Sequence, residues 1–180
     1  NLNVEINNVN GDITLAGIDG DVNIETVNST INIAYCSGSI KIDGVNSGVR
    51  GNFDSTKGIN IELVNGLVKL GGLKNISADL NASTVNGKVK VNNLILENMV
   101  SEKRSLTGIL GKGGSDIKIS TVNGNITFEA DKVNYKKDTD INFKIDFNSD
   151  DKIKITEGYN DDGINVHIDG NSDEDSDDED

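Results

Sequence analysis

The chain has 180 residues, no Pro, no Trp, one Cys and a formal net charge of −13. That charge excludes the basic face that nucleic-acid phosphates require, and simple electrostatic docking on anionic lipid with it. Cys36 alone allows neither an internal disulfide nor a thiolate metal cluster, and no apolar run is long enough to span a bilayer.

The opening "NLNVEI" alternates as a strand does. From Val9 the chain reads in nines: "VNGDITLAG", "IDGDVNIET", "VNSTINIAY", "CSGSIKIDG", "VNSGVRGNF". Apolar residues fall on the first, fifth and seventh places: Val9, Ile13, Leu15; Ile18, Val22, Ile24; Val27, Ile31, Ile33; then Cys36, Ile40, Ile42. Places five and seven alternate with polar residues, which is strand periodicity. The third place, Gly or Ser after Asn or Asp, is turn chemistry that tolerates positive φ.

The Val-Asn phrase occupies alternate nines. Its asparagines, Asn10, Asn28, Asn46, Asn65 and Asn86, recur at steps of 18, 18, 19 and 21, and Asn123 follows after 37. A repeat on this scale signals an array or solenoid. The expected fold is all-β: a parallel β-solenoid with about 18 residues per coil, the asparagines stacked at one corner in chain order. An antiparallel meander carries the same Asn-Gly signal. It would leave an apolar sheet face bare, since no amphipathic helix is present to cover it, whereas a solenoid covers itself.

The coils are expected over residues 1–130, with an irregular excursion near 94–114 in which Leu94 to Val100 lie against the body. The repeat resumes at "SDIKISTVNGNITFEA". Residues 131–170, with "INFKIDF", "KIKI" and "INVHI", lack the corner phrase and are expected to cap the stack against edge pairing. Residues 171–180, "NSDEDSDDED", form an acidic tail: a solvated run, with a weak multivalent calcium site as the alternative.

"VNGDITLAGIDGDVNIETVNSTINI" and "GKGGSDIKISTVNGNITFEA" resemble the putative-adhesin domain family of bacterial surface or membrane-attached proteins. The resemblance covers about residues 1–130 and implies a right-handed parallel β-solenoid and an address outside the cell. It brings no functional residues with it. The stretch around Leu94, the C-terminal strands and the tail depart from the family pattern.

Little in the residues points to catalysis, and no catalytic, cofactor or metal residue is assigned. His167 is the sole histidine and has no visible acid or nucleophile beside it. Asp12, Asp21 and Glu25 recur on outward places, as a solvated face does, and lack an aromatic to stack a sugar. Gly111 to Ile119, "GKGGSDIKI", is one imperfect copy of a calcium nonapeptide that needs tandem copies. Triplets for N-glycosylation at Asn28, Asn75, Asn81 and Asn125 are what chance gives in so Asn-rich a chain.

The functional expectation is a non-catalytic structural or adhesive module at the cell surface or outside it. It associates end to end with itself, or meets a surface glycan or protein. The outward coil positions are mixed polar, with no large apolar patch. The chain opens on Asn1 and not on Met, which is compatible with a signal or anchor removed ahead of it, so the absence of such a segment does not indicate a cytoplasmic address. The alternatives are an enzyme acting on surface polysaccharide and a ligand-sensing domain of an envelope protein.

Overall fold

The computed structural model describes residues 3–133 and, beyond them, the backbone of three strands within 143–169. The acidic tail and the side chain of His167 lie outside the described residues.

In chain order the strands are β1 (Asn3–Asn8), β2 (Ile13–Ala16), β3 (Val22–Val27), β4 (Thr30–Ala34), β5 (Ser39–Val45), β6 (Gly48–Asn52), β7 (Gly58–Asn65) and β8 (Val68–Gly71). After a short 3-10 turn at Leu73–Asn75 come β9 (Ala78–Asn86), β10 (Val89–Asn92), β11 (Leu96–Ser101), β12 (Ser105–Leu110), β13 (Ser115–Asn123) and β14 (Ile126–Glu129). The backbone-only strands are β15 (Phe143–Asp146), β16 (Lys152–Thr156) and β17 (Val166–Asp169).

The fold is all-β, in two sheets. Sheet A runs β11-β12-β9-β13-β7-β5-β3-β1-β16, and sheet B runs β10-β14-β8-β6-β4-β2-β15-β17. Pairings among β1 to β10, β13 and β14 are parallel, and odd and even strands fall in different sheets. Sheet A is mixed, because β12 lies antiparallel to β9, β11 to β12, and β16 to β1.

Alternation decides which side chains meet. Val4, Val22, Ile40 and Ile59 stand in one register row, and Ile6, Ile24, Ile42 and Ile61 in the next. Each is buried, and they join Ile13, Ile31, Val49 and Val68 of sheet B in one core cluster. β-branched side chains suit this arrangement, since their stiff rotamers pack well against in-register neighbours on a pleated surface.

Three sequence expectations change. First, the units do not follow chain order. β13 lies between β7 and β9, and β14 between β8 and β10, so the unit written last is inserted before the one written before it. Second, the excursion is a β-hairpin. β11 and β12 extend sheet A beyond β9, with Leu106 and Leu110 buried and Leu94 and Leu96 packed partly on the core. Ile95, Met99 and Val100 of the same run do not lie against the body; they are 91%, 52% and 60% exposed. Third, the first place of each nine is not uniformly interior. Ile18 and Cys36 are buried, but Val9 and Val27 are exposed, as are Val45, Val64, Val85 and Val122. The valine ahead of each corner asparagine forms an outward apolar row on a surface expected to be mixed polar with no large apolar patch.

The turn chemistry also divides. In the Val-Asn-Ser corners the left-handed residue is the asparagine, with φ 57° at Asn28 and 53° at Asn46. At Gly66, Gly87 and Gly124 of the Val-Asn-Gly corners the glycine answers to crowding: a Cβ on Gly124 would stand 1.6 Å from the carbonyl oxygen of Gly66, and one on Gly66 1.7 Å from that of Ser47, whereas Gly11 has φ 135°.

Candidate functional site: the asparagine corner and the sheet A groove

The corner asparagines form an unbroken head-to-tail ladder. Nδ2 of Asn86 donates to Oδ1 of Asn123 at 2.9 Å, Asn123 to Asn65 at 2.7 Å, and Asn65 to Asn46 at 2.7 Å. Asn46 then donates to Asn28 at 3.1 Å, and Asn28 to Asn10 at 3.0 Å. Every donor points the same way along the stack. An asparagine amide has both a donor and an acceptor, so a strand spacing near 4.8 Å lets identical residues bond without change of rotamer. Asn28, whose triplet fits a glycan acceptor, is tied up in this ladder on both sides.

Behind the ladder sits a second row, two residues before each asparagine. It holds Thr26, whose hydroxyl bonds that of Ser29, and Thr84 and Thr121, whose hydroxyls donate to the Gly124 carbonyl. Asn8 fills the equivalent place in the first unit, buried to 3% exposure, with neither amide atom hydrogen-bonded to a described residue.

Asp12 and Asp21 act as staples between units. Oδ1 of Asp12 accepts from the backbone N–H of Thr30 at 3.3 Å, and Oδ1 of Asp21 from that of Ser39 at 2.9 Å. Asn3 Oδ1 receives the N–H of Asp21, and Asn125 Oδ1 that of Lys88. A short acceptor at the start of one strand thus satisfies a turn donor of the next, which is the capping logic of helices transferred to a sheet corner.

The outer face of sheet A holds a groove of about 920 Å³. Its floor is a register row of Glu5, Asn23, Lys41, Asn60 and Lys118. Beside it runs a row with Glu25, Asp43 and Glu62. Lys41 Nζ contacts Asp43 at 2.7 Å, and Lys118 contacts Asp116 at 2.7 Å. The hydrogen bond to Asp43 raises the pKa of Lys41, helped by the fields of Asp43, Glu25 and Glu62, which offset a small desolvation. Asn23 Oδ1 is buried in this face without a partner among the described residues. The described lining carries no aromatic ring. Glu25 stands in the acidic row and is not brought together with Asp12 or Asp21 as an acid pair.

The glycine-rich loop at 111–114 uses its N–H groups internally. Lys112 N–H donates to Ser77 Oγ and Gly114 N–H to Asp79 Oδ2, so the loop is a turn fastened to β9. Gly111 and Gly113 have φ 58° and 71°, where a side chain would be strained. Among the described residues no cluster of His, Cys, Asp and Glu has the makings of a metal site. Cys36 is buried at 1% exposure, and burial raises its thiol pKa to about 11.

Sequence reasoning located the corner and its asparagines. It missed the outward valine row, because the same letters serve inward places in neighbouring nines. It also missed the exposed apolar residues at the β11 end of sheet A, although the apolar run "LILENMV" carried the signal.

These features define an all-β chain of two largely parallel sheets with an amide-lined corner. Comparison with known proteins adds no name to that class: no family model, no curated protein and no solved structure matches the chain.

Proposed function

We propose that the chain is a right-handed parallel β-solenoid of about 18 residues per coil, a rigid, non-catalytic structural or adhesive module of the cell surface or extracellular matrix, related to the putative-adhesin family. Right-handed crossovers between parallel strands are near-universal, which supports the hand. In-register pairing of residues 18 apart from β1 to β5 supports the coil length. The module joins end to end with copies of itself.

The observation that carries this reading is the edge of β11. It is the last strand of sheet A, and Ile95, Met99 and Val100 are exposed on and beside it. An apolar edge strand with unpaired backbone groups is a template for another strand. At the opposite edge of sheet A lies β16. β11 runs with β9, since two antiparallel steps separate them, while β16 runs against β1. A second copy stacked by translation therefore presents β16 antiparallel to β11. The charges agree: Glu97 is on β11, and Lys152 and Lys154 are on β16.

Sedimentation velocity of the full chain over a range of concentrations tests the reading. The expected result is concentration-dependent association that Val100→Lys together with Met99→Lys removes, with the far-ultraviolet spectrum kept. A wild-type chain that stays monomeric throughout would defeat end-joining. A second reading, contact with a surface glycan along the sheet A groove, is favoured by the unpartnered Oδ1 of Asn23 among alternating amides and charges.

A further inference from the structure

Four Asn-Gly pairs occur in the sequence, at Asn10, Asn65, Asn86 and Asn123, and all four lie in the ladder. Asn-Gly is the dipeptide most open to deamidation, because no side chain on the glycine hinders its nitrogen. In that reaction the glycine N–H loses its proton to hydroxide, and its nitrogen bonds to the asparagine Cγ. The Cγ–Nδ2 bond breaks and ammonia leaves. Water then opens the succinimide at either carbonyl, giving aspartate or isoaspartate. The glycine nitrogen must be available, and the carboxamide must be able to turn towards it.

The stack divides the four pairs by these two requirements. Gly66 N–H donates to the Asn123 carbonyl at 2.9 Å, and Gly124 N–H to the Asn86 carbonyl at 3.1 Å. Asn65 and Asn123 also have both amide atoms in the ladder, each donating to one neighbour and accepting from another. For these inner pairs, the nucleophile and the carboxamide are both held. The outer pairs differ. Gly11 and Gly87 N–H make no hydrogen bond to a described residue: Gly87 lies in the last parallel unit in the direction in which Gly66 and Gly124 donate, and Gly11, with φ 135°, has no N–H bond to the described unit beside it. Asn10 accepts from Asn28 but its Nδ2 has no described acceptor, and Asn86 donates to Asn123 but its Oδ1 has no described donor. Both side chains are exposed.

We infer that Asn10 and Asn86, the outermost members of the ladder, are sites of spontaneous deamidation, and that stacking protects Asn65 and Asn123. The modification needs only water and places a carboxylate at each end of the amide row. At position 10 the new carboxylate still accepts from Asn28. At position 86 it can no longer donate to Asn123, so conversion there opens the ladder.

The test is to hold the purified full chain in mildly alkaline buffer, digest it at intervals, and quantify acid and isoaspartyl forms of each Asn-Gly peptide by mass spectrometry. A parallel sample is held in concentrated urea. In the folded chain Asn10 and Asn86 should convert about tenfold or more faster than Asn65 and Asn123, the ratio that one or two net hydrogen bonds correspond to. In urea all four should convert at comparable rates. The inference is overturned if Asn65 or Asn123 keeps pace with the outer pair in the folded chain. It is equally overturned if folded Asn10 and Asn86 stay intact over the time in which the urea sample converts.

Discussion

The side-chain amide of Asn123 donates to Oδ1 of Asn65 across 2.7 Å, although 58 positions of chain separate them. Asn86, nearer to Asn65 in sequence, bonds Asn123 from the other side. The chain leaves β8, skips one strand position in each sheet, builds β9 and β10, and turns back through the hairpin of β11 and β12. It then fills the vacant place with β13 and β14. Until that last unit arrives, β9 has no neighbour on the β7 side, so β9 to β14 are expected to dock on the earlier units as one cooperative block.

Close approach at the corners sets the first prediction. A Cβ at Gly124 meets the Gly66 carbonyl, whereas one at Gly48 finds nothing nearer than 3.9 Å. Gly124→Ala should cost about 3 kcal/mol or more, since backbone cannot step aside as a side chain can. Gly48→Ala should be neutral or stabilise by up to about 1 kcal/mol, through the unfolded chain. Urea denaturation of both variants checks the contrast. Equal effects would contradict it.

The ladder makes a second. Asn46 combines two exposed ladder bonds, at 3.1 and 2.7 Å, with a φ of 53°. Asn46→Leu forfeits both bonds and places a branched side chain in the left-handed region, an expected loss of about 1–3 kcal/mol. Asn46→Gly forfeits the bonds but relieves the backbone, so it should cost less. If glycine proves the worse substitution, backbone conformation is not part of the corner's stability.

Cys36 supplies a pH dependence. Its folded pKa, about 11, lies above the ordinary 9.0 because burial opposes the thiolate, a backbone hydrogen bond from Ile18 countering only in part. The unfolded chain therefore releases this proton first as pH rises. The stability contribution is complete below pH 9 and is lost between there and about 11, amounting to about 2–3 kcal/mol. Cys36→Ala should flatten that part of the stability–pH curve. A wild-type curve that falls no more steeply than the variant's would count against the burial.

The elements were legible in the sequence because alternation of Ile and Val with polar residues fixes a face wherever one side is buried, as at Val22, Ile24, Ile31 and Ile33. The asparagine corner was legible for the same reason: a repeated amide at a constant step has identical neighbours to bond. Order was not legible. Asn65, Asn86 and Asn123 carry the same corner phrase, so nothing local tells β7 whether β9 or β13 is its neighbour. The step of 37 from Asn86 to Asn123 marked the interruption without giving its direction. Nor did the letters separate Val9, which is exposed, from Ile18, which is buried, because both open a nine. The groove could not be read either, since its floor joins Glu5 to Lys118 through five strands.

The inserted unit has a direct test in paired cysteines on the outer face of sheet A, made in a Cys36→Ala background. Asn60 and Lys118 are register partners on adjacent parallel strands, while Lys118 separates Asn60 from Asn81. Adjacent strands lie about 4.8 Å apart, within the span a disulfide bridges, and alternate strands lie about 10 Å apart, beyond it. On mild oxidation the Asn60→Cys, Lys118→Cys chain should form an intramolecular disulfide, and the Asn60→Cys, Asn81→Cys chain should not. The reverse outcome, bridging between 60 and 81 and none between 60 and 118, would mean that the units stack in chain order and would contradict the account.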